Sequence, residues 1–157
     1  MKKSLLLILV LLCSFQTAFA EKIPIRITPA QIISTKQDEI EMGDWVSFDV
    51  VNNVYVNDKL YISKGTPIYG FVDFFHPNGW AADSADIKFK TFKTLDTKGN
   101  KITIDYPLTI NGNSKKANDI KQYLSWQYAI SGLLILVRGS EIYIEPDKEL
   151  FNLFIEH

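Results

Sequence analysis

Cysteine is almost absent: the one present, Cys13, lies in an N-terminal apolar run. If that run is removed, no disulfide, thiol nucleophile or cysteine-bound metal remains. Histidine is nearly as scarce, with only His76 and His157. A histidine metal centre would therefore need carboxylates. Asp73, Asp83 and Asp86 surround His76 in sequence, but they meet no recognised ligand spacing. No Gly-x-Ser-x-Gly elbow, P-loop or dinucleotide fingerprint occurs, so no cofactor is expected. Charge of one sign is also missing, since 17 Lys and Arg face 18 Asp and Glu. Such a balance offers no electrostatic footprint for nucleic acid. Paired carboxylates act through spatial proximity, so a hydrolase using them is not readable from spacing. Asp49 and Asp105 are the strand-borne candidates, and alternation sends both to a polar face.

The N-terminus has the form of a secretory signal. Lys2 and Lys3 precede the apolar stretch Leu5–Leu12, and Ala18-Phe19-Ala20 is a small-x-small cleavage site. Cleavage is expected after Ala20, which places the rest in the periplasm or outside the cell. Lipidation at Cys13 is the weaker reading, because Leu12 occupies the position where a small residue is favoured. Loss of the two lysines takes the formal net charge from −1 to −3. Residues 21–157 suffice for a single domain with one core.

What is present in quantity is alternation and aromatic volume, with ten Phe, seven Tyr and three Trp. Val46, Phe48 and Val50 share one parity, as do Ile102, Ile104 and Tyr106, the pattern of half-buried strands. Ile23, Ile25 and Ile27 form a first strand that Thr28-Pro29 ends. The stretch VYV-ND-KLYI (54–62) reads as a tight hairpin, because Asn57 and Asp58 tolerate positive φ. Asp96-Thr-Lys-Gly99-Asn100 is a second turn. Within 85–95 the alternation slips between Phe89 and Phe92: either a bulge near Lys90-Thr91 returns both rings to one face, or Phe92 points outward. These short strands predict an all-β fold with one helix, as a small antiparallel barrel or closed sandwich.

The helix is expected over 115–131. Ala117, Ile120, Leu124 and Tyr128 recur at helical spacing, Ser114 can cap the start and Gly132 the end. It would cover one barrel mouth. The alternative has 120–137 contacting a membrane surface, with Trp126 and Tyr128 as interfacial residue types. The apolar run 128–137 is too short to span a bilayer as a helix.

Residues 60–69, LYISKGTPIY, return as LILVRGSEIY at 134–143. Gly65 and Gly139 are expected to be equivalent corners with positive φ, each half of a pseudo-symmetric barrel carrying one. Gly70 is read as relieving crowding where a strand coils, and Pro67 as sitting at a ladder edge or bulge.

The succession of strand, basic-Gly-Ser/Thr, strand, glycine loop, strand, Asp-x-x-Gly and strand resembles the barrel domain of TrbI-like proteins. These are outer-membrane-core components of type IV secretion and conjugation machines. The match rests on Lys64-Gly65-Thr66, Gly70, Gly79, Asp96, Gly99 and Gly112, and covers roughly 45–112. It implies an assembly role without catalysis. The chain departs from that family in opening with a cleavable signal in place of an inner-membrane helix and a Pro-rich linker.

Candidate contact residues follow. His76-Pro-Asn-Gly-Trp80 is a loop whose tryptophan either plugs the barrel mouth or anchors a partner. In strand 66–75, Ile68, Val72 and Phe74 are expected inside. Tyr69, Phe71 and Phe75 would then lie outside and need covering. Trp126 joins this set. The expected partner is another envelope protein or a second copy. A carrier of small ligands in the barrel is the alternative function, and a hydrolase ranks behind both.

Overall fold

The computed structural model describes residues 22–36, 40–80, 83–112 and 138–156. The helix expected over 115–131, the 120–137 membrane segment and Trp126 lie outside these residues.

Among the described residues ten strands occur in chain order: β1 (Lys22–Pro29), β2 (Ile33–Ser34), β3 (Trp45–Val50), β4 (Val54–Val56), β5 (Lys59–Ile62), β6 (Pro67–His76), β7 (Asp86–Leu95), β8 (Lys101–Asn111), β9 (Tyr143–Ile144) and β10 (Phe151–Glu156). Six make one antiparallel sheet in the order β10-β1-β3-β6-β7-β8. The sheet curls until its two ends nearly meet, where the Tyr106 ring on β8 lies 5.6 Å from the Phe154 ring on β10. The result is a nearly closed barrel. β4–β5 and β2–β9 are separate two-stranded pairs.

Local chemistry explains the turns. Asn57 and Asp58 take φ of 49° and 59°, the paired left-handed geometry whose twist matches the flanking strands. Asp96 closes the β7–β8 hairpin: its N–H donates to the Asn100 carbonyl, while Gly99, at φ 83°, donates to the Asp96 carbonyl. The Asp96 carboxylate then accepts from the Lys98 and Asn100 amides and from the Asn100 side chain. These hydrogen bonds, the Asn100 side chain foremost, hold the carboxyl below its ordinary 3.8.

Curvature comes from bulges. Along β7 the ladder to β6 passes from Phe71↔Thr91 to Val72↔Phe89, leaving Lys90 as an extra residue. Phe89 and Phe92 are therefore both buried, which selects the bulge over an outward Phe92. Two residues further along β6, Asp73 is extra in the opposite sense, between Val72↔Phe89 and Phe74↔Lys88. The β7–β8 ladder shifts at the same level, opposite Pro107, a residue tolerated in strands at such irregularities. Coiling concentrated along this line is what bends the sheet towards closure.

The Asp73 bulge corrects the expected inside and outside of β6. Ile68 and Val72 are buried, as expected. Phe74, expected inside, is 40% exposed, whereas Phe75, expected outside, packs against the core. One extra residue reverses the parity of everything after it.

Phenylalanines fill the barrel interior. Phe48 meets Phe89 at 5.5 Å and Phe92 at 5.9 Å, with interplanar angles of 83° and 65°, edge-to-face arrangements that suit the ring quadrupoles. Ile25, Ile27, Ile68, Ile87 and Leu153 complete the packing. Gly70 sits on this inner face, and a Cβ there would lie 2.7 Å from Phe92 and 2.9 Å from Phe89. Its missing side chain is the space the two rings occupy.

The expected equivalence of Gly65 and Gly139 does not hold. Gly65 has φ 79° in open space at a turn. Gly139 has no positive φ, and its Cβ position is filled by the Asp83 carbonyl. The Gly139 amide donates to the Gly79 carbonyl, and the Gly139 carbonyl accepts from Asn78 Nδ2. Gly112 likewise packs against the Ser140 carbonyl. Gly139 therefore permits backbone segments to cross closely at one barrel end, whereas Gly65 reverses the chain.

Candidate functional site

The outer face of the sheet carries the most concentrated exposed chemistry. Alternation in β3 turns Val46, Phe48 and Val50 inward and Trp45, Ser47 and Asp49 outward. β6 presents Tyr69 and Phe71 on the same face. Strand pairing then sets two rows side by side: Trp45, Phe71, Thr91 and Asp105 in one, Ser47, Tyr69, Lys93 and Thr103 in the next. Trp45 and Phe71 stack in a tilted contact at 5.2 Å. Lys93 Nζ reaches to 4.4 Å from the Trp45 ring centroid, a cation–π contact contributing about 0.5–1 kcal/mol at an exposed site. Thr91 Oγ1 donates to Asp105 Oδ1 at 2.9 Å. Trp45 remains 42% exposed and Tyr69 45%. Past Tyr69 the patch continues into a shallow groove of about 380 Å³ that reaches Leu95 and Thr103.

A second cluster lies where Phe74 and His76 end β6. Their rings lie 6.5 Å apart and nearly parallel, at 20°. Lys88 Nζ sits 4.8 Å over Phe74 and 3.4 Å from Asp86. His76 Nε2 lies 2.8 Å from Asp83 Oδ2, tying the strand end to the far side of the 77–84 loop. Trp80, at the tip of that loop, is 65% exposed, so its side chain does not plug the barrel. Phe75 faces the core beside this cluster and is not part of the outer surface.

The carboxylates that alternation assigned to a polar face are there, but apart. Asp49 on β3 and Asp105 on β8 are separated by β6 and β7, roughly 14 Å at ordinary strand spacing. Among the described residues, no three His, Asp or Glu side chains converge in a way that could hold a metal ion.

The structure therefore sorts the candidates. Tyr69 and Phe71 lie together on the outer face; His76 and Trp80 lie at one barrel end; Phe75 is turned inward. Sequence reasoning missed Trp45 and Lys93. The signal for Trp45 was available, since it shares the parity of Ser47 and Asp49. Lys93 needed the β6–β7 register before its position over Trp45 was visible.

Comparison of the chain with protein-family models and with curated proteins finds no match. The TrbI-like resemblance thus rests only on the glycine and turn positions that suggested it. Within that pattern, Gly65 and Gly99 are positive-φ turns, whereas Gly70 and Gly112 serve close approach.

Proposed function

We propose that this protein is a non-enzymatic interaction module of the cell envelope: a small barrel that docks another envelope protein, as an assembly component of secretion- or conjugation-like machines does. One observation carries the reading. The interior is packed with Phe48, Phe89 and Phe92, while Trp45 packs on Phe71 on the outer face and Tyr69 lies exposed on that same face. Large aromatic side chains left outside a filled core match the chemistry of interface anchors, which bury a large apolar area at low rotamer cost. The filled interior gives no support to the alternative of a ligand carried inside the barrel.

The envelope assignment depends on the N-terminal signal pattern. A photo-crosslinking residue at position 69, expressed in envelope-bearing cells, tests the proposal. A discrete adduct is expected, and it should vanish when Trp45→Ala and Phe71→Ala are combined with the probe. A crosslinking pattern that ignores these two substitutions would sink the outer-face reading. Recovery of the chain with residues 1–20 intact in the cytosol would sink the compartment.

A further inference from the structure

We propose that the outer-face groove beside Tyr69 receives the acidic segment 145–150 of a second copy, so that copies join head to tail. The proposal rests on the reading of the chain as an interaction module, and it names a partner for one part of that surface.

The groove, of about 380 Å³, lies over β6, β7 and β8 towards the 96–100 turn. Strand register assembles it: Tyr69 pairs with Lys93, Lys93 with Thr103, and Leu95 with Lys101. Tyr69 and Leu95, both exposed, supply an apolar floor. Lys93 and Lys101 stand exposed beside it. Among the described residues, neither lysine forms an ion pair with a carboxylate. The acids of the same hairpin are engaged locally. The Asp96 carboxylate accepts three hydrogen bonds within its turn, and Asp105 accepts from Thr91 Oγ1. The groove therefore offers apolar surface beside two uncompensated positive charges. An apolar side chain flanked by carboxylates complements it.

The chain carries such a group on its own surface. Glu145, Asp147 and Glu149 are exposed around one turn, with Lys148 as the single cation among them. Tyr143 and Leu150 border the turn, and both are exposed. Backbone hydrogen bonds fix its shape. The Asp147 N–H donates to the Pro29 carbonyl, and the Lys148 N–H donates to the Glu145 carbonyl. A turn already held in one conformation loses little entropy on docking. In the contact, Leu150 lies on the Tyr69–Leu95 floor, and the carboxylates of 145–149 meet Lys93 and Lys101.

Topology keeps these surfaces from meeting within one molecule. Successive strands of the sheet alternate in direction, so β7 and β10 run the same way. The turn after β7 and the segment before β10 consequently lie at opposite ends of the barrel. A contact between two unlike surfaces is heterologous.

The test uses the chain expressed in envelope-bearing cells, purified and followed by sedimentation equilibrium. The wild type should associate as concentration rises, and added salt should weaken the association, because exposed charges are screened. K93E/K101E should weaken it by about tenfold or more. E145Q/D147N/E149Q should do the same; asparagine tolerates the positive φ of 60° at position 147. Thermal melts of both variants should stay close to the wild type, since the substituted side chains are exposed. Mixing the two variants is the decisive arm. One retains the acidic segment and the other the groove, so a one-to-one complex should form and grow no further.

A wild type that stays monomeric overturns the proposal, including one that instead binds anionic lipid vesicles through Lys93 and Lys101. So does association that ignores either set of substitutions, or a mixture that forms no one-to-one complex. The Tyr69 crosslink keeps the two readings apart. A monomeric chain whose adduct is a different protein, and depends on Trp45 and Phe71, overturns the self-contact alone. Self-association alongside a crosslink indifferent to Trp45 and Phe71 sinks only the aromatic anchor.

Discussion

Replacing Gly70 by alanine isolates the packing argument from backbone strain. Gly70 faces inward between Val46 and Phe92 in the strand register, and its φ is not positive, so an L-residue meets no conformational penalty there. Alanine would even gain about 0.5–1 kcal/mol by restricting the unfolded chain. Against that stands the Cβ position, 2.7 Å from Phe92 Cε1 and 2.9 Å from Phe89 Cδ1. Both contacts fall inside van der Waals separation, and both rings are fully buried, so neither can swing into solvent. Overpacking of this kind costs about 1–3 kcal/mol. The clash wins, and G70A should be destabilised by roughly 1–2 kcal/mol, a fall in Tm of roughly 3–10 °C.

A double-mutant cycle supplies the mechanism. F92L alone leaves a cavity and should destabilise as well. Combined with G70A, the smaller side chain makes room for the methyl, so the double variant should be more stable than the sum of the singles predicts, by about 1 kcal/mol. Urea denaturation monitored by far-UV circular dichroism measures all four corners. G65A provides the contrast. That site is open but has φ 79°, so its cost is conformational, about 1–2 kcal/mol, and asparagine should recover part of it. At position 70, asparagine should be worse than alanine. If G70A is as stable as wild type, or additive with F92L, the interior packing described above is wrong.

Other outcomes follow from the same structure. Asp96→Ala should lower stability at neutral pH, because three donors in the turn lose their shared carboxylate acceptor. The Asp96 carboxyl is held below 3.8 in the folded chain, so its contribution is complete above that pH and fades as pH falls through the lower folded value. The denaturation midpoints of wild type and D96A should therefore converge in acid. Asp58, at φ 59°, tolerates glycine: D58G should be neutral or stabilising, whereas D58V should cost about 1–2 kcal/mol by thermal melt. Truncating Trp45 or Phe71 to alanine should change stability by no more than about 1 kcal/mol while removing the crosslink through Tyr69, since their mutual contact is at the surface.

Much of the local structure was legible in the residues alone. Asn57-Asp58 and Asp96 through Asn100 specify their turns through backbone preferences that act within a few positions. Alternation in 45–50 and 101–106 assigns faces because strand geometry has a period of two whatever lies beside it. The broken alternation between Phe89 and Phe92 marked the place of the Lys90 bulge but left an outward Phe92 equally open, and the burial of both rings decided between them. What tertiary structure decided is everything that depends on the neighbouring strand. The Asp73 bulge has no sequence signature of its own, and it exchanged Phe74 for Phe75 at the core. Gly65 and Gly139 share a motif yet meet different surroundings, one in a solvent-facing turn and the other under the Asp83 carbonyl. Trp45 and Lys93 lie far apart along the chain and come together only once β6 is paired on both sides. Local sequence constrains dihedral angles, but register, curvature and closure are settled by contacts between distant segments, so the site they assemble is visible only in the folded chain.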